Sequence, residues 1–343
     1  MRESAVSFPT TPAREATAGP VEVGPLFVLG GTTASGKSAL ALALADRLEA
    51  VIVNADSQQL FADLAILTAR PTPAEETRVP HRLYGVLGPR EQPSAGRWLG
   101  LVLPVLVELA AAGRAAILVG GTGLYLHALV RGLSPIPEVP AALRARLLDE
   151  TRDLPAPALH ARLARLDPLT AARLRPSDRQ RVLRALEVLE ATGRPLALWQ
   201  SEPRHPPVRA RTLLGVALLP PAAITSPRIV ARLEHQLAGG ALDEVAALAE
   251  RQPGLAEAAR AGRPEGWPIL KVHGCRELLA VLEGRLERAT AEAEIARQVR
   301  AYAKRQRTFF RHQLPELEPL ALTGEEEGLA ERLARRFETL RAP

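Results

Sequence analysis

A chain of 343 residues with 47% apolar content has enough material for a full hydrophobic core and, by length, for about two domains. No apolar run reaches the roughly 18 residues that cross a bilayer, and the N-terminal segment has neither a continuous apolar stretch nor a cleavage pattern, so the cytoplasm is the expected compartment. Cys275, the single cysteine, excludes an intramolecular disulfide and a cysteine zinc cluster, and is read as a small buried side chain. The net charge of +6 and a pI near 10.1 are compatible with a polyanionic partner, although the arginines are spread along the whole chain.

Residues 1–22 mix Pro, Ser, Thr, Gly and charge without periodicity and are read as a mobile tail. From about residue 24, apolar strand-like runs (25–29, 50–53, 115–119) alternate with helical segments (38–48, 98–112). That alternation predicts an α/β fold with a parallel sheet flanked by helices. A proline-rich break at 135–140 is followed by Leu, Ala and Arg at helical spacing over 141–149, 157–166 and 179–192, which predicts a small all-helical insertion. Pro203 to Pro207 then lead back to a strand at 212–218 and to helices at 227–237, 242–251, 275–282 and 289–310. The expected organisation is a core of 23–140 and 201–320, an insertion of 141–200, and a C-terminal helix or tail at 321–343.

The strongest motif lies between the first strand and the first helix, at Gly31-Thr32-Thr33-Ala34-Ser35-Gly36-Lys37-Ser38. Glycines let backbone N–H groups turn toward phosphate oxygens, the helix start adds positive potential, Lys37 supplies a point charge, and the Ser38 hydroxyl suits Mg²⁺. The motif fixes a polyphosphate site without saying whether the phosphates belong to ATP. Lys37, Lys271 and Lys304 are the only lysines among 44 cations, and two of them fall in segments that carry motifs. A compact ammonium there suggests places that a guanidinium does not fit.

The second strand runs into Asn54-Ala55-Asp56-Ser57-Gln58-Gln59, beyond the carboxyl end of a strand, where ligands bind in open α/β sheets. If this strand neighbours the first, Asp56 faces the mouth of the phosphate loop and can accept a proton or hold Mg²⁺ through water. It can equally serve as a helix N-cap. Gln59 is an amide able to read a base edge or a plain surface residue. The third strand ends in Gly120-Gly121-Thr122-Gly123-Leu124-Tyr125. It lacks the strand-end carboxylate usual for Mg²⁺-dependent ATP hydrolysis, which favours transfer to another group. Its glycines allow close approach of a ligand or only strand-to-helix packing.

Near the C-terminus, Arg300 to Arg311 interleave cations with Tyr302, Phe309 and Phe310. On one helix they can meet phosphates while an aromatic ring stacks on an unpaired base, or they can form an amphipathic helix with aromatics in the core. A small-molecule kinase and a non-catalytic RNA-binding module are the competing functions at this level.

These segments together, with Thr68-Ala69-Arg70-Pro71-Thr72, Val79-Pro80-His81, Asp178 with Arg181 to Val188, Arg228-Ile229 with Arg232, and Tyr302-Ala303-Lys304-Arg305-Gln306, resemble the bacterial tRNA dimethylallyltransferases, also called tRNA isopentenyltransferases. The likeness runs over most of residues 24–312. It implies a P-loop-type core and transfer of a dimethylallyl group from its diphosphate to N6 of the adenosine at tRNA position 37, beside the anticodon. It implies Asp56 as general base, Thr122 as a hydroxyl near the reacting centre, and Arg232 as the arginine that steadies the diphosphate. Gly31, Thr33, Ala34, Ser35, Gly36, Lys37 and Ser38 would hold that diphosphate, with Ser38 on Mg²⁺.

The same resemblance implies tRNA contacts from Ser57, Gln58, Gln59, His81, Gln180, Arg181, Arg184, Lys304, Arg305 and Gln306. The insertion would grip the anticodon stem, and no protein partner is implied beyond a monomer. The chain departs from the family pattern at Thr32 for Pro, Phe61 for Tyr, Arg70 for Lys, Ser177 for Asn, Cys275 for Tyr and Phe309 for Trp. The changes at 61 and 275 remove hydroxyls. None touches Lys37, Asp56, Thr122 or Arg232.

Overall fold

Eight strands organise the chain in a computed structural model that describes residues 19–262, 266–321 and 328–341. They are β1 (Val21–Val23), β2 (Leu26–Gly31), β3 (Val51–Asn54), β4 (His81–Arg82), β5 (Ala116–Gly120), β6 (Val208–Ala210), β7 (Leu213–Leu218) and β8 (Glu318–Leu320). Six form one parallel sheet in the order β4-β3-β5-β2-β7-β8. The short strands β1 and β6 pair in parallel beside it as a second sheet.

The tail expected through residue 22 is corrected here. Val21 donates its N–H to Pro207 O, and Val21–Val23 register with Val208–Ala210, so these residues are sheet. Residues 1–18 of that expected tail lie outside the described residues.

Side-chain alternation splits the core. Leu26 and Val28 of β2, Val51 and Val53 of β3, and Ala116 and Leu118 of β5 join one cluster. Phe27 and Leu29, Ile52, and Ile117 and Val119 join another. This period of two, with every residue of β2, β3 and β5 buried, is what a sheet covered on both faces requires. Helices Lys37–Leu48 and Leu329–Arg341 contribute Leu44, Leu48, Leu333 and Phe337 to one side. Helices Ala95–Ala111, Gly123–Arg131 and Arg288–Gln313 contribute Trp98, Leu126 and Phe310 to the other.

The helices expected within 141–200 fall in a compact unit spanning Arg131–Pro206, whereas Pro20–Val130 and Pro207–Pro343 form the other unit. In the first, helices Ala141–Glu150, Ala156–Leu166, Pro168–Ala171, Arg179–Thr192 and Leu196–Ser201 close over Leu147, Leu159, Leu163, Val182 and Leu186. Asp178 caps the 179–192 helix by accepting the Arg181 N–H, and Gly193 ends it in the left-handed region at φ 67°.

The helix expected from Pro227 begins earlier, at Ala222, and carries Pro227 inside it. A proline inside a helix forgoes one backbone hydrogen bond without ending the helix here, so Pro227 does not mark its first residue. Among the described residues no helix is long and apolar enough to cross a membrane.

Candidate active site

The phosphate loop is built where β2 runs out. Gly31 holds φ at 141°, and a Cβ there would lie 2.4 Å from Leu218 O, so only glycine fits beside β7. Thr32 donates its N–H to that same carbonyl at 3.2 Å. Ala34 (φ 56°) and Gly36 (φ 88°) turn the chain into the helix Lys37–Leu48, whose first turn carries no acidic residue. The positive potential of the helix start is therefore left for an anion.

Lys37 is half-buried in this loop and donates Nζ to Thr32 O at 2.5 Å. Burial pulls its pKa down to about 8; Asp56 opposes the fall and the Arg232 cation adds to it. The hydroxyls of Thr32 and Ser35 are buried without a hydrogen-bond partner.

Asp56 reaches the loop by a route the sequence does not suggest. The condition that its strand neighbour the first is not met, because β5 lies between β3 and β2. The crossing is possible because β5 ends in glycines. A Cβ on Gly120 would lie 2.0 Å from Ala55 O, and one on Gly121 would lie 3.3 Å from Asp56 Oδ2. These glycines admit protein main chain and side chains, and Gly120 also lines a cavity together with Asp56. Asn54 shapes the turn, accepting the Asp56 N–H on Oδ1 and donating Nδ2 to the carbonyls of Asp56 and Leu83. Asp56 Oδ1 in turn accepts the Gln58 N–H at 3.0 Å, the Asx-turn geometry expected of an acid at a strand end.

Thr122 stands just behind. Its Oγ1 accepts the Ser57 N–H at 2.9 Å and donates to Ser57 Oγ at 3.2 Å. Burial, with Asp56 adding to it, raises the pKa of Tyr302.

The opposite wall is a loop held by side chains. Glu244 accepts the N–H groups of Ala65, Ile66 and Leu67, while Gln236 donates to the carbonyls of Ile66 and Leu67. Thr68 O receives Arg232 Nη2 at 2.9 Å and Gln59 Nε2 at 3.2 Å. Burial lowers the Arg232 pKa, partly offset by Asp56.

Between the two walls lies a cavity of about 880 Å³ including its solvent-open part. Thr33, Lys37, Ser38, Asp56, Gln58 and Arg232 are among its polar lining residues. Leu67, Ile229, Leu233, Ile295 and Val299 supply an apolar wall. Cationic and hydroxyl groups, a carboxylate and an aliphatic surface thus meet in one space.

Of the residues singled out from sequence, Thr33, Lys37, Ser38, Asp56, Gln58, Gln59 and Arg232 line this cavity. Gly31, Ala34, Ser35 and Gly36 shape the loop, and Thr122 and Ser57 support Asp56 from behind. His81 lies apart on β4, with Nδ1 2.7 Å from Val79 O and its ring edge-on to Tyr84. Gln180 and Arg181 are exposed on the 179–192 helix; Arg184 there is paired with the buried Glu187. Lys304 and Arg305 are exposed on the 288–313 helix.

Three expectations on that helix are corrected. Gln306, expected to touch tRNA, is 5% exposed and faces inward, because its amide bonds Thr33 N–H and Gly121 O. Phe309, considered for base stacking, fills the space above Gly123 beside His127, where a Cβ on Gly123 would lie 2.3 Å from its ring. Arg307 donates to Pro220 O at 2.6 Å and so has a role within the core.

Sequence reasoning missed His273, whose ring lies 5.0 Å from that of Tyr302, and the props Gln236 and Glu244. The acidic pair Asp243-Glu244 in a first helical turn reads as an ordinary dipole-compensating feature, so no local signal marks it. Cys275 is buried as expected, with its thiol pushed up to about 12 by burial. Phe61 is fully in the core. Arg70 donates to Phe61 O and Ala62 O, and Gly85 at φ 60° leaves room for its guanidinium.

Comparison with known proteins decides the family, since the IPP transferase family model matches residues 59–313, about three-quarters of the chain. The chain belongs to the IPP transferase family. A second model, isopentenyl transferase, matches residues 24–90. The tRNA dimethylallyltransferase of Azorhizobium caulinodans is 48% identical over 293 residues, covering 85% of this chain and 91% of the relative. That of Rhodospirillum centenum is 49% identical over 290 residues, covering 84% and 89%.

Among solved structures, the full-length tRNA isopentenylpyrophosphate transferase of Bacillus halodurans superposes with a TM-score of 0.64 at 26% identity, covering 92% of this chain and 96% of that one. A eukaryotic dimethylallyltransferase acting on tRNA gives a TM-score of 0.74 at 24% identity, over 94% and 80%, a likeness of fold. The isopentenyl transferase match covers the phosphate loop with β2 and β3, and the IPP transferase match covers β4, β5 and β7 of the parallel core.

Proposed function

We propose that the protein transfers a dimethylallyl group from dimethylallyl diphosphate to N6 of the adenosine at tRNA position 37, releasing diphosphate. The observation that carries this is the cavity itself, which joins Lys37, Ser38 and Arg232, the Asp56 carboxylate and an aliphatic wall. The names of the family relatives support the tRNA substrate.

Cleavage of the allylic carbon–oxygen bond builds positive charge on carbon and negative charge on diphosphate. Cations belong on the leaving group and not beside the carbon, and the cavity offers Lys37 and Arg232 for the first and an aliphatic surface for the second. Lys37 and the helix start take the phosphates, and Arg232 neutralises the charge that grows there. Asp56 accepts the N6 proton as the amine attacks. Leu67, Ile229 and Val299 shelter the allyl group from water. The adenine must leave its stack, at a cost of a few kcal/mol that is smaller in a loop than in a duplex.

Ser38 Oγ and the Asp56 carboxylate are hard oxygen donors in the same cavity and fit Mg²⁺, which is held by one or two protein oxygens together with substrate phosphates. When bound there it would supply further charge neutralisation to the diphosphate. The exposed Lys304 and Arg305, and the exposed face of the 179–192 helix, are proposed to meet RNA phosphates. The protein is proposed to work as a monomer in the cytoplasm.

Purified protein, Mg²⁺, labelled dimethylallyl diphosphate and unmodified tRNA, followed by nucleoside analysis, test the proposal. Label on N6 of adenosine 37 is expected. ATP turnover stimulated by a small acceptor, with no label in tRNA, would make the protein a kinase instead.

A further inference from the structure

We infer that Gln306 is a positioning residue that sets the phosphate loop against the base. The inference rests on the proposed transfer reaction and concerns what keeps its two halves in register. Gln306 sits on the Arg288–Gln313 helix, 5% exposed, between exposed Lys304 and Arg305 on one side and half-buried Arg307 on the other. Its Oε1 accepts the Thr33 N–H at 2.8 Å, and its Nε2 donates to Gly121 O at 2.9 Å.

One amide therefore spans the loop that follows β2 and the turn that follows β5. Gly121 is the residue over which the Asp56 carboxylate passes, and the absence of its side chain is what lets Gln306 in, since a Cβ there would lie 2.2 Å from Nε2.

The chemistry of the bridge selects glutamine. One end must accept from a main-chain N–H and the other must donate to a main-chain carbonyl, on a planar group of fixed length. Glutamate keeps the acceptor but turns a second acceptor toward Gly121 O; leucine keeps the volume and neither bond. In the proposed reaction the loop holds the departing diphosphate while Asp56 takes the N6 proton, so a shift of about 1 Å between loop and base costs on the order of 10² in rate. The Thr33 N–H is already engaged, so what Thr33 offers the cavity is its side chain.

The test compares the full-length wild type with Gln306→Glu and Gln306→Leu. It follows kcat, KM for each substrate, thermal midpoint, and Kd for tRNA and for inorganic diphosphate with Mg²⁺. Both variants are expected to lose roughly 10²-fold in kcat at pH 8 and at least fivefold in diphosphate affinity, with tRNA Kd within about twofold of wild type. The activity of Gln306→Glu relative to wild type is expected to rise as pH falls, because a protonated carboxyl regains the donor.

Weaker tRNA binding with kcat intact at saturating tRNA would make Gln306 an RNA contact and overturn the inference. So would a variant-to-wild-type ratio that is flat with pH, or a rate loss that tracks only a lowered thermal midpoint. Absence of transfer by the wild type would count against the reaction, while unchanged diphosphate affinity in both variants would by itself overturn the role of Gln306.

Discussion

Arg232 donates Nη2 to the carbonyl of Thr68 at 2.9 Å and lines the same cavity as Lys37, so one guanidinium both props the far wall and faces the anion site. Its planar fork can do both at once, whereas a lysine offers a single point charge. Arg232→Lys is therefore expected to slow transfer by roughly 10-fold to 10²-fold and to raise KM for dimethylallyl diphosphate. Steady-state kinetics with thermal melting check this. A lowered melting temperature without a selective kinetic defect would reduce Arg232 to a strut.

Asp56→Asn keeps an oxygen able to accept the Gln58 N–H, so the turn after β3 should survive. Transfer should nevertheless fall by roughly 10² or more, with tRNA affinity unchanged. Comparable transfer by the variant, measured in single turnover, would remove Asp56 from the role of base.

Lys37 gives a pH signature. Its pKa in the folded protein is about 8, against 10.5 in an unfolded chain, so it is charged below pH 8 and neutral above it. Affinity for diphosphate should weaken as pH rises through 8, and binding above that pH should take up a proton, visible by calorimetry in buffers of different ionisation enthalpy. Keeping a half-buried cation charged costs stability at neutral pH, and that cost fades between pH 8 and 10.5. Lys37→Met should melt higher than wild type at pH 7, by a margin that shrinks by pH 10, and should bind no diphosphate.

Glu244 holds three consecutive N–H groups with one carboxylate. Glu244→Gln removes one of the two accepting oxygens and the charge, and should lower stability by about 1–3 kcal/mol in denaturant titration. It should also raise KM for the diphosphate, since Thr68, at the end of the same loop, accepts the Arg232 guanidinium. Full stability in the variant would show that the 65–67 segment holds itself.

Removing the exposed cations Lys304 and Arg305 together should weaken tRNA binding and reduce the slope of log Kd against log salt by about 1.4–1.8, if each meets one phosphate. kcat at saturating tRNA should stay the same. An unchanged slope would place the RNA on another face.

Much of the fold is legible because its signals are local. The apolar runs that become β2, β3, β5 and β7 and the glycine loop before Lys37 announce strands and a phosphate site by themselves. Strands β1, β4, β6 and β8 are two or three residues long, too short for a period of two to show, and exist only through pairing. The cavity's near wall is legible in Lys37, Ser38 and Asp56, which sit at motif positions. Its far wall is not, because Gln236 and Glu244 act through the main chain of a loop about 170 residues earlier, and such a bond leaves no mark in spacing. Gln306 misleads for a related reason: it sits in a basic run, yet one helical turn carries Lys304 outward and Gln306 inward.

The pairing of β2 carries a consequence for biosynthesis. This strand is flanked by β5 on one side and by β7 on the other, and the phosphate loop leans on Leu218 through Gly31 and Thr32. A nascent chain released from the ribosome only as far as residue 200 has made every residue of the motif but not the partner that shapes it. Such a truncated polypeptide would leave an unpaired strand edge open to misassociation. The cradle for phosphate is thus completed late in translation, nearly two hundred residues after its own codons are read.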